Sequence, residues 1–315
     1  MSGPRAAVDV GTNSVRLLVV DADGSRITRE LAITRLGQGV DATGRLDDQA
    51  LARTLATIGG YRDTWRRHGV EDRVRIAATS AVRDAANRDA FFDGVREVAG
   101  VDAEVLSGEQ EAQLAFAGAV EAVSDVAAPT AVIDVGGGST ELIVGTGERA
   151  DDGAVQVAGS VSLQLGCVRL TERHLHGDPA RGDEVAAARE LVVAQLDHAD
   201  EVLADQGASL HDAAALIGVA GTATTLGALH RGLASYDETH IHGVRIDADA
   251  LRDLTVQLVA MSAAQRAELG PVQPGREDVL HGGALVLAAV VERYGFAELV
   301  VSESDGLDGL AASLA

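Results

Sequence analysis

The chain has 315 residues, 46% of them apolar and only 3% aromatic, with a formal charge of −22. This length predicts two domains with sizeable cores, and so few aromatic rings argue against the base-stacking platforms of single-strand nucleic-acid binders. All 26 basic residues are arginine, which removes the P-loop lysine, kinase chemistry built on an invariant lysine, and Schiff-base catalysis.

The amino terminus enters an apolar run broken at Asp9, too short for a secretory signal, and no apolar run approaches the roughly 18 residues of a membrane span. The single cysteine, Cys167, has no partner for an internal disulfide and reads as a small packed side chain. A cytoplasmic protein with no nucleic-acid and no membrane partner is expected. The acidity is uneven: residues 1–127 carry 15 arginines against 20 carboxylates, a balance of −5, and residues 128–315 carry 11 against 28, a balance of −17. Exposed charge beyond a Debye length of about 8 Å is largely screened, so a local arginine cluster with a divalent cation can still capture a polyanion.

In chain order, the first element is a β-hairpin that recurs. Residues 9–19 (DVGTNSVRLLV) align without a gap on residues 134–144 (DVGGGSTELIV), 125 positions later, in the pattern D-V-G-x-x-S-x-x-L-[LI]-V. Each copy is an apolar run, a turn of small residues and a second apolar run. A helix follows in which Leu51, Leu55, Ile58, Tyr61 and Trp65 form one apolar face. Next come a strand at 74–79, a turn bearing Arg83, a helix, and a second strand at 103–106. Ser107 and Gln110 form a capping box for a third helix running to about residue 120, with Glu111 at the end of its first turn. Residues 122–129 are the expected hinge. After the second hairpin the pattern predicts a long helix at 184–204, a strand at 215–219 ending in a Gly-Thr turn, a helix at 282–294, a strand at 298–302 and a terminal helix. Strands alternating with helices, twice over, predict two α/β domains, 1–127 and 128–315, facing a central cleft.

Three turns rich in glycine, serine and threonine follow predicted strands: Gly11, Thr12, Asn13 and Ser14; Gly136, Gly137, Gly138, Ser139 and Thr140; and Gly221 and Thr222 with the threonines after them. Such turns present unobstructed backbone N–H groups to phosphate oxygens. Asp9, Asp134 and Glu141 sit in or beside them, where a carboxylate repels phosphate unless a cation such as Mg²⁺ bridges the two. The plainer role of Asp9 and Asp134 is to cap the turn at a strand end. His240 and His242 would put two imidazoles on one side of a strand, but no further ligand spacing accompanies them, and a polar-network role is expected.

The two hairpins, the segment from Thr79 to Ala85 (TSAVRDA), the segment from Leu106 to Ala112 (LSGEQEA) and Gly221-Thr222 resemble, in that order and over nearly the whole chain, the exopolyphosphatase and guanosine pentaphosphatase (Ppx/GppA) phosphatase family. The resemblance implies the duplicated, ribonuclease-H-like fold of actin. It implies Glu111 as the catalytic glutamate and Arg83 as a phosphate-binding arginine. It also implies that the turns at 12–14 and 136–140 hold substrate phosphates, and that Asp134 with Glu141 orients water or metal. The implied reaction is hydrolysis of the terminal phosphate of polyphosphate; a phosphorylated guanosine nucleotide is the alternative substrate, and a non-catalytic polyphosphate or alarmone sensor a further reading. A homodimer is compatible with all three. Where many members end in a Gly-Leu-Arg-Glu-Gly motif, this chain has Asp305-Gly306-Leu307-Asp308-Gly309, without the arginine.

Overall fold

Alternating apolar residues on both sides of a small-residue turn can pair only as a hairpin, and they do so twice. In the computed structural model, which describes residues 3–123, 125–149 and 155–314, β1 (Arg5–Val10) and β2 (Ser14–Val20) are antiparallel, with Asp9 opposite Arg16. β3 (Arg26–Ile33) extends the meander beside β2. The chain continues through α1 (Val40–Thr43) and α2 (Asp48–Arg67) to β4 (Val74–Ala78), which lies parallel to β1. Then come α3 (Ser80–Asp84), α4 (Arg88–Ala99), β5 (Ala103–Val105) and α5 (Gly108–Ala122). The sheet order is β3-β2-β1-β4-β5.

Local signals explain the helices. Asp47 caps α2 by accepting from the backbone N–H groups of Gln49 and Ala50, and the predicted apolar face buries Leu51, Ile58, Tyr61 and Trp65. The capping box before α5 is present: Gln110 N donates to Ser107 Oγ at 3.2 Å and Ser107 N to Gln110 Oε1 at 2.9 Å.

The second hairpin is β6 (Thr130–Val135) and β7 (Thr140–Arg149), with Asp134 opposite Glu141. β8 (Val155–Leu163), α6 (Cys167–His174), α7 (Gly182–Asp205), β9 (Ala215–Val219) and α8 (Ala220–His230) follow. After α9 (Glu238–Ile241) come β10 (Arg245–Asp247), α10 (Ala248–Ala260), α11 (Ala263–Ala267), α12 (Leu280–Tyr294), β11 (Glu298–Val301) and finally α13 (Gly306–Ala312). The second sheet runs β8-β7-β6-β9-β11-β10. Its first five strands repeat the first sheet: a three-stranded antiparallel meander, then strands added parallel to the central one. This is the duplicated actin-like arrangement.

The chain divides differently from the expected 1–127 and 128–315. One unit is Met1–Leu114 with Gly306–Ala315 and the other is Ala115–Asp305, so the first boundary falls inside α5 and the last residues rejoin the first unit. The reason is burial: Leu307, Leu310 and Ala311 of α13 pack with Ala7, Leu18, Val20, Ala77 and Leu106, covering one face of the first sheet. The expected hinge at 122–129 includes Ser124, which lies outside the described residues. His240 and His242 are not on a strand: His240 is in α9, bonded through Nδ1 to Asp237 at 2.8 Å, and His242 follows it with Nε2 at 3.0 Å from the carbonyl of Ala122. Among the described residues no helix is long and apolar enough to cross a membrane.

Candidate active site

In the first unit the hairpin turn is closed by Gly11 N donating to Ser14 O at 2.9 Å. A second layer of backbone then grips it. Thr34 N and Arg35 N donate to the carbonyl of Asn13 at 3.1 and 2.9 Å, and Gly37 N to that of Thr12 at 2.8 Å. A β-carbon at Gly37 would overlap Cγ2 of Thr12, so the approach requires glycine. Arg35 holds a left-handed φ of 53°, a strained state for a side-chain-bearing residue, where its N–H meets the hairpin turn. The Thr12 hydroxyl lies 2.9 Å from that of Ser80, tying the turn to the start of α3.

α3 carries Arg83, which sequence reasoning had put on a turn. Its Nη1 donates to the carbonyl of Leu106 at 2.9 Å and to Oε2 of Glu111 at 3.3 Å, both side chains being mostly buried. Two residues 28 positions apart are thereby brought together. Among the described residues, Nε and Nη2 of Arg83 make no hydrogen bond. Glu109, on the same first turn of α5, is exposed, whereas Glu111 is half-buried. Asp9 accepts from Arg16 Nε at 3.0 Å and Nη2 at 2.6 Å, which engages one of its oxygens in an ion pair.

The second unit repeats the turn: Gly136 N donates to Ser139 O at 3.0 Å. Here the grip comes from the start of α6. Cys167 N donates to Gly136 O at 2.9 Å, and Val168 N and Arg169 N to Gly137 O at 2.9 and 3.1 Å. A β-carbon at Gly166 would overlap Gly137 O, the counterpart of Gly37 over Thr12. The duplication therefore extends past the hairpin to the Leu-Gly pairs Leu36-Gly37 and Leu165-Gly166, both leucines being buried. That repeat was readable in the sequence.

Where the first hairpin sets Arg16 against Asp9, the second sets Glu141 against Asp134. Both carboxylates are buried, and Ser162 Oγ donates to Glu141 Oε1 at 2.7 Å. Among the described residues no group of three His, Cys, Asp or Glu could hold a metal ion. Two adjacent carboxylates do fit Mg²⁺, which takes one or two of them and completes its octahedron with water and phosphate oxygens. Ser139 and Thr140 are buried, and Thr140 faces away from Glu141 by strand alternation, so the turn offers backbone rather than the Thr140 hydroxyl.

Gly221 and Thr222 do not form a separate turn after β9. They lie in the first turn of α8, which Ala220 enters with a left-handed φ of 61°. A left-handed residue leading into right-handed ones turns successive N–H groups the same way. The Thr222 side chain lies beside Cys167. Burial pushes the Cys167 thiol up to about 11, against a smaller opposite pull from Arg276, so it is no nucleophile at neutral pH. Sequence reasoning missed Arg276, whose guanidinium occupies the space where a Gly221 side chain would be.

The sequence model of the Ppx/GppA phosphatase family matches residues 18–307. Exopolyphosphatase 2 of Mycobacterium tuberculosis is 44% identical over 98% of both chains. The crystal structure of an exopolyphosphatase-like protein superposes with a TM-score of 0.91 at 37% identity over 98% of both chains. A Ppx/GppA enzyme of Aquifex aeolicus superposes with a TM-score of 0.79 at 28% identity over 99% of both.

Proposed function

The chain belongs to the Ppx/GppA phosphatase family, and from that premise we propose that it is an exopolyphosphatase, a hydrolase releasing orthophosphate from the end of inorganic polyphosphate in the cytoplasm. The observation that carries the site is the hydrogen bond between Arg83 and Glu111. It sets a cation with two spare donors beside a half-buried carboxylate, the pairing that in-line attack of water on a phosphoanhydride needs. Glu111 accepts a proton from the attacking water as its oxygen bonds to the terminal phosphorus. The bridging P–O bond breaks, and its electron pair leaves with the shortened chain. Nε and Nη2 of Arg83 hold the equatorial oxygens as charge moves between them. The turn at 11–14 in the first unit offers backbone N–H groups to phosphate, and so, in the second unit, do the turn at 136–139 and the first turn of α8.

Mg²⁺ held by Asp134 and Glu141 would offset the negative charge of the phosphate oxygens. Asp9 is already paired with Arg16, so its part is to fix the turn rather than to hold a cation. Neither nucleic acid nor a membrane enters this reading.

The test is phosphate release measured in parallel from short polyphosphate, long polyphosphate, guanosine pentaphosphate and ATP, with and without Mg²⁺. Release from polyphosphate well above the other substrates is expected. Preference for guanosine pentaphosphate would reassign the substrate, and release from none would leave a sensor.

A further inference from the structure

Helices α7 and α10 both pack against α12 and leave a cavity of about 510 Å³ between them. Its cause is side-chain size: Ala288 and Ala289 of α12 and Ala248 of α10 line a space that larger residues would fill. Leu196 and Leu285, both buried, complete an apolar floor, and Val193 of α7, 48% exposed, stands at the rim. Thr255 adds no donor, since its hydroxyl is turned to the carbonyl of Leu251 at 2.8 Å. A concave, mostly apolar site of several hundred cubic ångströms with a few polar groups at its edge is the usual form of a small-molecule pocket.

The charges at the edge set the sign of the ligand. Three arginines line the cavity, in a half of the chain where carboxylates outnumber arginines 28 to 11. Arg293 is engaged by Asp197 and Asp200 at 2.7 and 2.6 Å, and Glu292 lies beside it, so that end repels anions. Arg252 of α10 meets Asp249 at 2.8 Å in an exposed pair, which contributes little and is readily shared with a ligand. Among the described residues Arg189 of α7 makes no hydrogen bond or ion pair. Each wall therefore offers one arginine to an anion whose remaining surface is apolar.

We propose that the groove between α7 and α10 binds a free, single-chain alkyl carboxylate, its tail on the floor formed by Leu196, Leu285, Ala288 and Ala289 and its head group on Arg189 and Arg252. A guanidinium fork bonds both oxygens of a carboxylate at once. Polyphosphate does not fit, because it has no apolar part for the floor and its further charges would extend to Glu292. None of these residues lies in the Gly-rich turns, so the ligand binds whether or not the protein hydrolyses polyphosphate.

The test titrates octanoate and decanoate, below their micelle concentrations, into the full chain and its variants Arg189→Gln, Arg189→Gln/Arg252→Gln and Ala289→Trp by calorimetry. Wild-type protein should bind one decanoate, roughly 10-fold more tightly than octanoate, as two further buried methylenes require. Arg189→Gln, an exposed change that leaves the fold intact, should weaken decanoate by roughly 10-fold, and the double variant by more. Ala289→Trp, with its folding checked by circular dichroism, should abolish binding by filling the groove. Decyltrimethylammonium, equal in tail and opposite in charge, should not bind. No saturable binding of decanoate, equal affinity for the two chain lengths, or unchanged affinity in the double variant would overturn the proposal. Binding of anionic phosphatidylglycerol vesicles without binding of free decanoate would assign the groove to a membrane surface. A dimer in sedimentation that Ala289→Trp dissociates would assign it to a second copy of the chain, and either result would overturn the proposal as well.

Discussion

Nη1 of Arg83 donates to Oε2 of Glu111 at 3.3 Å while also holding the carbonyl of Leu106, the residue just ahead of the α5 capping box. One nitrogen therefore fixes both the carboxylate and the segment that delivers it. If Glu111 is the base, Glu111→Gln should lower kcat by roughly 10²- to 10⁴-fold with substrate affinity near wild type. Glu109, exposed in the same turn, is the control. Steady-state kinetics of the two variants decide, and equal losses would remove the assignment.

Arg83→Lys keeps the charge and loses the fork. An ammonium reaching Leu106 and Glu111 could not also span two phosphate oxygens, so kcat/KM should fall by about 10- to 100-fold while the melting temperature stays close to wild type. Arg88, exposed at the start of α4, supplies the comparison, since Arg88→Lys changes only a solvated charge. Indistinguishable kinetics for the two variants would make Arg83 structural.

The Asp134–Glu141 pair predicts a graded dependence on magnesium. Asp134→Asn and Glu141→Gln should each raise the half-saturating Mg²⁺ concentration, and excess chelator should abolish turnover of the wild type. Ser162 orients Glu141 through a 2.7 Å hydrogen bond, so Ser162→Ala should shift the same titration by roughly 10-fold, as removal of an outer-shell partner does. Unaltered magnesium curves in all three variants would leave the charge to the arginines.

His281 of α12 offers a stability test away from the chemistry. It is buried, its Nδ1 has no hydrogen-bond partner among the described residues, and burial, with a smaller push from Arg266, lowers its pKa from 6.5 to about 4. Between those values the unfolded chain binds the proton and the folded protein does not, so stability falls as pH drops from 6.5 towards 4 and is recovered as pH rises. The loss across that window is on the order of 2–3 kcal/mol. Chemical denaturation of wild type and His281→Leu at pH 7 and pH 4.5 measures it. The variant should show a smaller acid loss, and parallel curves would assign the slope to carboxylates.

Much of this molecule was legible before the structure. The paired hairpins were, because period-two alternation on both sides of a Gly-Ser turn has one solution. Glu111 was placed by its capping box, a local signal. β3 was missed because it is an edge strand with no buried residue, and its sequence RITRELAI carries no clean alternation. Gly221-Thr222 reads as a turn because Gly, Thr and Ala after a strand are turn-like; burial of Thr222, Ala223, Thr224 and Leu226 makes that segment the start of a helix. Arg276 was invisible because it meets Gly221 from 55 positions away, joined by packing and by no motif. The partners of the turns, Gly37 and Gly166, could have been found by extending the repeat to the Leu-Gly pairs.

The return of α13 has a consequence for the order in which the protein is made. Arg5 Nε bonds the carbonyl of Ala311, 306 positions later, and Leu307 and Leu310 cover strands that leave the ribosome long before them. Domains translated early usually fold while the rest of the chain is still being synthesised. Here β1 and β2 wait with one apolar face uncovered until α13 has been made, and their cover arrives only by closing a loop that contains the entire other unit. The unit begun first is completed last.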